Sequence, residues 1–309
     1  MAAPKKYDLV IIGSGPGGYV AAVRAAQLGM KVACVEKEPR LGGVCLNVGC
    51  IPSKALLDSS EYYHLAKEQF ALHGIKTGRV SLDLKIMMQR KEQVVAELTD
   101  NVRRLLEGHQ IEIVHGLASL DGPDRVQVKP GKGKRKKTLA ASHILLATGS
   151  YPITVPGIEF DGTHIVNSTA ALSFDPVPKH LGIVGGGYIG LELGSVWRRL
   201  GSKVTVIEML PQIGTLLDGQ VARTLDRLLR KQGLDIRVNT KVAAAAVKAK
   251  KVQVNLEAGD QTETARFDRL LVSVGRRPQT DGLGLEAVGV DTDPRTGQVI
   301  VDTAYRTSV

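Results

Sequence analysis

Apolar and polar positions along the chain follow two rhythms. Residues 7–12, Tyr-Asp-Leu-Val-Ile-Ile, read as a strand; an amphipathic helical stretch follows, Gly29 stops it, and a second apolar run begins at Val32. Leu84, Met87, Val94, Val95, Leu98, Val102 and Leu105 recur on a helical period, which predicts a long helix over residues 84–107 with those side chains in a core. A helix is also expected over 50–69, with short strands at 111–114 and 126–129. The apolar strand 143–147 ends in Thr148, Gly149 and Ser150, and the proline-bearing residues 151–156 read as a linker. A matching strand, 270–274, ends in Gly275, followed by Arg276, Arg277 and Pro278. Turns at the carboxyl ends of such strands are where α/β folds take ligands, which makes these glycines cofactor candidates. Boundaries at the two strand ends predict an α/β protein with domains 1–150 and 151–277, and residues 278–309 beginning a return to the first.

The pattern repeats. Gly13, Gly15 and Gly18 form a Gly-x-Gly-x-x-Gly fingerprint, and Gly185, Gly187 and Gly190 form another 172 residues later. The same shift carries Gly29 onto Gly201, Lys31 onto Lys203, Val32 onto Val204 and Glu36 onto Glu208. In such a unit the first glycine permits a tight turn, the second lets a pyrophosphate approach the backbone, and the third lets helix and strand pack closely. The pyrophosphate sits on the helix N-terminus, and the acid eighteen residues on accepts ribose hydroxyls. A single fingerprint is weak evidence; two in register, each with its acid, predict two Rossmann-like domains and two dinucleotides. At the second site Glu208 would repel a 2′-phosphate, and Met209, Leu210 and Pro211 bring no arginine, so NAD is expected rather than NADP.

Two of the three cysteines lie in residues 45–54, Cys-Leu-Asn-Val-Gly-Cys-Ile-Pro-Ser-Lys. Beside a nucleotide fingerprint and without a secretory signal, this spacing reads as a working redox pair. An ideal helix would set Cys45 and Cys50 about 140° apart and about 7.5 Å along the axis, whereas a disulfide needs Cα atoms within roughly 7 Å. A helix must therefore break or begin here, and Gly49 and Pro52 supply the means. Cys50 then falls near a helix N-terminus, where a thiolate is favoured. A metal half-site is the bland alternative, but no further Cys or His cluster completes it. Cys34 maps by the repeat onto Val206 and reads as a small buried apolar residue.

With Leu41, Gly42 and Gly43 before it, the cysteine segment resembles the redox-active stretch of the flavoprotein disulfide reductases, a group of pyridine nucleotide-disulfide oxidoreductases. Its wording, Leu-Asn-Val-Gly-Cys-Ile-Pro-Ser-Lys, is nearest that of the dihydrolipoamide dehydrogenases, although Val44 stands where many relatives have threonine. The resemblance extends over the whole chain and implies FAD at the first fingerprint and NAD at the second. A flavin suits the first place independently, because it exchanges electrons with both a dithiol and a hydride carrier. The implied cofactor contacts are Gly13, Gly15, Gly18, Glu36, Lys37, Gly42, Gly43, Val44, Cys45, Lys54, Gly116, Thr148, Gly149 and Ser150 for the first nucleotide. For the second they are Gly185, Gly186, Gly187, Tyr188, Ile189, Gly190, Leu191, Glu192, Glu208, Val242 and Gly275. The implied catalytic set is Cys45, which attacks substrate from the outer side; Cys50, which faces the flavin; and Lys54, paired with Glu192. The implied partner is dihydrolipoamide on an acyl-carrier subunit of a 2-oxoacid dehydrogenase or glycine cleavage complex, with a homodimer as the full-length form. Relatives continue into a C-terminal interface domain carrying a histidine base, and both are expected to be absent here. Competing expectations are another disulfide or mercuric reductase, and a catalytically silent nucleotide-binding subunit.

Composition changes this picture little. The net charge of +10 comes from 41 basic and 31 acidic residues, and part of the excess sits in Lys129, Lys132, Lys134, Arg135, Lys136 and Lys137. That run is interleaved with glycine and has no aromatic stacker, so a solvated hairpin tip is expected rather than a nucleic-acid surface. No apolar run approaches a membrane span, and a cytoplasmic protein is expected.

Overall fold

In a computed structural model describing residues 5–131 and 135–309, the chain begins with β1 (Lys5–Ile12), α1 (Pro16–Gln27), β2 (Val32–Glu36), α2 (Gly43–Val48), α3 (Cys50–His64) and α4 (Leu84–Gly108). It continues through β3 (Glu112–His115), β4 (Leu117–Leu120), β5 (Arg125–Lys129), β6 (Lys137–Leu146), β7 (Ser150–Pro152), β8 (Ile165–Val166), α5 (Ser168–Ala171) and β9 (His180–Val184). The remaining elements are α6 (Tyr188–Arg199), β10 (Lys203–Ile207), α7 (Gly219–Lys231), β11 (Leu234–Arg237), β12 (Lys241–Lys248), β13 (Lys251–Ala258), β14 (Gln261–Phe267), β15 (Arg269–Val272) and β16 (Arg276–Pro278). These form two compact units. One comprises Met1–Asn47, Val95–Tyr151 and Arg277–Val309, and the other Val48–Val94 and Pro152–Arg276.

The first unit is built on a six-stranded sheet of order β3-β2-β1-β6-β5-β4. β3, β2, β1 and β6 are parallel, with Val10 facing Ala33 on one side and Ile144 on the other. Strands buried on both faces read as continuous apolar runs, which is why β1 and β2 were legible. β6 is longer than the expected 143–147 strand. Its first residues pair antiparallel with β5, Arg125 opposite Ala140, while most of its length pairs parallel with β1. Residues 137–142 hold one large apolar side chain, Leu139, and no apolar run; the neighbouring strands recruit them. The core joins Tyr7, Val10, Ala33, Val35, Val126, Val128 and Leu139 to Leu283 and Leu285 from the last segment. The β5–β6 pair is the expected basic hairpin, and Arg135, Lys136 and Lys137 are exposed; Lys132 and Lys134 lie outside the described residues.

The second unit carries an all-parallel sheet of order β11-β10-β9-β15-β8. Its core clusters around Trp197, whose indole N–H donates to Ala171 O at 3.1 Å, with Leu181, Ile183, Leu193, Val204 and Val206. An antiparallel sheet, β12-β13-β14, covers residues 241–267 and was not anticipated. Its signal is period two: Val252, Val254 and Leu256 are buried and their neighbours are not.

Two helix expectations change in detail. α3 ends at His64 and passes into a π-helical turn, Leu65–Gln69, and a 3-10 turn, Phe70–His73, closed by Gly74 at φ +74°. On α4 the buried stripe is Lys91, Val95, Thr99, Val102 and Leu106, so Leu105 is exposed, one position off the stripe. Lys91 is tolerated inside because its ammonium donates to Leu172 O and Ser173 Oγ, both at 2.9 Å.

Candidate functional site

In each unit, the strand leading to the fingerprint ends at a turn followed by a helix, and the three glycines of that turn serve different purposes. At the first position, Gly13 (φ +107°) and Gly185 (φ +104°) are required by conformation. A Cβ there would also lie 2.2 Å from Ala147 O and 2.6 Å from Ser273 O, respectively. At the third position a Cβ on Gly18 would lie 1.9 Å from Gly13 O, and one on Gly190 2.5 Å from Gly185 O. The protein itself therefore explains these four.

It does not explain the second position. Gly15 and Gly187 have ordinary backbone angles, φ −67° and −80°. A Cβ would meet only Gly43 Cα at 3.9 Å in the first case and nothing within 4 Å in the second. Each caps its helix without a side-chain bond, and the first N–H groups of a helix have no partner within the helix. A helix N-terminus left open in this way has the form that suits a phosphate-bearing ligand.

The two acids are buried and already oriented. Glu36 Oε2 accepts from Ser14 N at 3.0 Å and Ser14 Oγ at 2.5 Å, and its Oε1 accepts from Glu38 N at 2.9 Å. Glu208 Oε2 accepts from Gly186 N at 2.6 Å, and its Oε1 from Leu210 N at 2.8 Å. A carboxylate offers about four acceptor positions, so both retain capacity for a hydroxyl. Beside Glu36 a groove of about 820 Å³ opens between Lys37, Glu38, His115, Gly116 and the hairpin residues Arg135, Lys136 and Lys137. Gly116 (φ +152°) is fixed by packing, since a Cβ would strike Lys129 O at 2.8 Å. Gly43 (φ +58°) brings the start of α2 against Gly15, where its Cβ would be 2.8 Å from Gly15 Cα. Gly42 N donates to Ser14 O at 3.0 Å, and Val44 is exposed. Thr148, Gly149 and Ser150 follow β6, and a Cβ on Gly149 (φ +74°) would meet nothing. The chain's own geometry thus fits an extended adenine dinucleotide in the first unit.

In the second unit Tyr188, at the head of α6, is exposed, whereas Leu191 and Val242 turn their side chains into the core and Ile189 packs partly against it. Any ligand contact by Leu191 or Val242 is therefore through backbone. Gly275 (φ +139°) lies beyond β15, its carbonyl accepting from Ile153 N at 3.1 Å.

The cysteine segment breaks at Gly49 (φ −141°, ψ −112°) into α2, which contains Cys45, and α3, which opens on Cys50. Cys50 sits on the N-terminal turn of α3. Cys45 is half-buried and Cys50 exposed, so exposure of the bare chain does not by itself make Cys45 the outer thiol. Lys54, one turn after Cys50, donates to Glu192 at 2.7 and 2.8 Å across 138 residues of sequence, and Ser53 Oγ donates to the same carboxylate at 3.3 Å. Further along, Arg199 of α6 pairs with Glu61 of α3 at 2.5 Å. The cysteine helix and the second fingerprint helix are thereby bonded at two levels. Sequence reasoning missed this second bond and the Ser14 clamp; a serine inside the fingerprint was the only signal for the latter. Cys34 is fully buried and, through burial first and Glu36 second, its thiol is pushed up to about 12, as suits an inert core residue. Among the described residues no Cys, His, Asp or Glu group is arranged to hold a metal, and no helix is long and apolar enough to cross a membrane.

A family model described as pyridine nucleotide-disulphide oxidoreductase matches residues 7–309. The chain is 50% identical to dihydrolipoyl dehydrogenase 3 of Pseudomonas aeruginosa, over 94% of this chain and 62% of that protein. It is 48% identical to the mitochondrial dihydrolipoyl dehydrogenase of Caenorhabditis elegans, over 98% and 61%. The Cu(II) complex of the HOCl-induced flavoprotein disulfide reductase RclA from Escherichia coli superposes with a TM-score of 0.83 at 31% identity, covering 99% of this chain and 64% of that one. The chain thus spans about 60% of the length of the curated relatives it matches.

Proposed function

The chain belongs to the pyridine nucleotide-disulphide oxidoreductase family, and from that premise we propose that it carries the dinucleotide and dithiol machinery of an FAD-dependent dihydrolipoamide dehydrogenase using NAD. The observation that carries this reading is the Lys54–Glu192 bond, which ties the helix headed by Cys50 to the helix of the second fingerprint. A thiol centre and a nicotinamide site so linked fit a relay between a dithiol and a hydride carrier.

In this reading Gly13, Gly15 and Gly18 would hold FAD at the head of α1, Glu36 would take a ribose hydroxyl, and Lys37 and Gly116 would receive the adenosine end. Gly42, Gly43, Val44, Thr148, Gly149 and Ser150 line its path. NAD takes the matching place on Gly185, Gly187 and Gly190 with Glu208. When bound, the flavin accepts an electron pair from a dithiol and passes it to the nicotinamide as hydride. The protein's part is thiol exchange: one thiolate of dihydrolipoamide attacks the Cys45 sulfur of an oxidised Cys45–Cys50 pair, breaking the S–S bond and releasing Cys50 as thiolate. The second substrate thiol, deprotonated, displaces Cys45, leaving lipoamide and the reduced pair. Lys54 keeps positive charge beside the reduced centre. The partner is an acyl-carrier subunit bearing the lipoyl group in a 2-oxoacid dehydrogenase or glycine cleavage complex, the working form is a homodimer, and the compartment is the cytoplasm.

A second reading, a disulfide reductase running electrons the other way, is favoured by the likeness to the Escherichia coli reductase; the higher identity to dihydrolipoyl dehydrogenases favours the first. The test is to reconstitute the chain with FAD and add dihydrolipoamide without oxygen, or NADH with candidate disulfides. Bleaching of the flavin by dihydrolipoamide, with NAD bound at a separate site, supports the dehydrogenase. Preference for NADPH and a different disulfide overturns it.

A further inference from the structure

In the proposed function, on which this reading rests, FAD stays with the chain while NAD leaves at every turnover, so the two fingerprints face different demands. The 172-residue repeat maps Ser14 onto Gly186. The backbone N–H of each donates to the acid of its own fingerprint, Ser14 to Glu36 at 3.0 Å and Gly186 to Glu208 at 2.6 Å. The first copy adds a hydroxyl: Ser14 Oγ donates to the same Glu36 oxygen at 2.5 Å. With Glu38 N on Oε1, Glu36 is held by three donors among the described residues. Glu208 is held by two, Gly186 N and Leu210 N, both from backbone. The second copy is closed against a side chain at this position, since a Cβ on Gly186 would lie 2.8 Å from Ile213 Cγ2 and 3.2 Å from both Glu208 Cβ and Oε2.

The hydroxyl is not needed to build the turn, because the second copy forms the matching turn, Gly13 at φ +107° against Gly185 at φ +104°, with glycine in its place. Ser14 is fully buried, and its hydroxyl is fully used: besides donating to Glu36, Oγ accepts from Gly42 N at 3.2 Å. It therefore joins the ribose acid to the residue that leads into α2. A bond to a carboxylate is among the stronger hydrogen bonds, and a side chain fixed in advance has less rotamer freedom to lose when a ligand arrives. Three of the four acceptor positions of Glu36 are taken, and the one left, on Oε1, is open to a ribose hydroxyl. We propose that Ser14 is a positioning residue that retains FAD by fixing Glu36 before the cofactor arrives, and that Gly186 leaves the second fingerprint without this retention, so that NAD exchanges.

The test reads cofactor retention and not turnover. Chains loaded with FAD are dialysed and the loss of flavin is followed with time, while NAD binding is titrated separately. Ser14→Ala should release FAD about three- to ten-fold faster than the parent and bind NAD within about two-fold of it. On a Glu36→Gln chain the same exchange should add under about two-fold, because the hydroxyl acts through the carboxylate. An FAD analogue lacking the adenosine ribose hydroxyls should likewise leave the parent and Ser14→Ala at equal rates. Unchanged FAD release in Ser14→Ala overturns the proposal. So does a faster release that persists on Glu36→Gln or with the analogue, since that marks a general loosening of the turn. Should the alanine variant misfold, Ser14→Gly, which copies the second fingerprint, is read by the same criteria. A parent that takes up no FAD refutes the proposed function and this inference with it; a parent that retains FAD beside variants that retain it equally refutes this inference alone.

Discussion

Exchanging the second and third glycines of the second fingerprint for alanine should separate ligand binding from folding. A Cβ on Gly190 would lie 2.5 Å from Gly185 O, 2.7 Å from Ser273 Oγ and 2.9 Å from Ile183 Cγ2. Alanine gains up to ~1 kcal/mol over glycine inside a helix. Overpacking costs about 1–3 kcal/mol, and here it falls at the upper end because the nearest atom is a carbonyl in a tight turn. The net loss is about 2 kcal/mol, or roughly 4–8 °C in Tm for a unit of this size. Gly187→Ala differs: its backbone angles suit alanine and no atom lies within 4 Å of the new methyl. Its stability cost is the weaker helix cap, below about 1 kcal/mol. The methyl does stand where a pyrophosphate would meet the helix N-terminus, so NAD binding should weaken at least ten-fold, about 1.4 kcal/mol. Thermal unfolding followed by circular dichroism and equilibrium dialysis with NAD measure the two effects. If Gly187→Ala binds NAD as tightly as the parent, or Gly190→Ala melts at the parent's temperature, the division of roles among the glycines is wrong.

Lys54→Met should leave Tm nearly unchanged, because the Lys54 side chain is 57% exposed and such pairs contribute ~0–1 kcal/mol; reduction of bound flavin by dihydrolipoamide should nevertheless slow at least ten-fold in stopped-flow measurements. Mass spectrometry after brief alkylation of the native reduced chain should find label on Cys45 and Cys50 but not Cys34, and Cys34→Val should cost under about 1.5 kcal/mol, valine being the residue at the repeat-equivalent position 206. Asp268 is pushed up by burial, but the Lys251 ammonium and the His180 N–H, the latter at 2.7 Å, outweigh that and hold its carboxyl below the usual range. Its stabilising contribution is therefore complete above pH ~4, the unfolded value, and is lost as pH falls through the lower folded value. Asp268→Asn should flatten the acid limb of a Tm-against-pH curve; an unchanged limb would assign the acid sensitivity elsewhere.

The nucleotide fingerprints were legible in the sequence because their physics is local. A turn at positive φ, a helix N-terminus and a close helix–strand contact are all specified within six residues, and Glu36 and Glu208 follow one strand later. The burial of Cys34 was legible for a related reason, since its repeat partner Val206 showed the position to be apolar. The Lys54–Glu192 bond came from resemblance alone: the two residues are 138 apart, and no spacing rule connects them. Helical periodicity likewise located α4 but put Leu105 in place of Leu106 on the buried stripe, because the face a helix turns inward is set by its neighbours. The antiparallel half of β6 needed β5 beside it, since a segment without an apolar run becomes a strand only when another offers its edge. Arg199 is the sharpest case. As sequence it is one of two arginines at the end of a helical stretch; only the packing of α6 against α3 brings it to Glu61. Charge acts through space, and it is the tertiary structure that sets those distances.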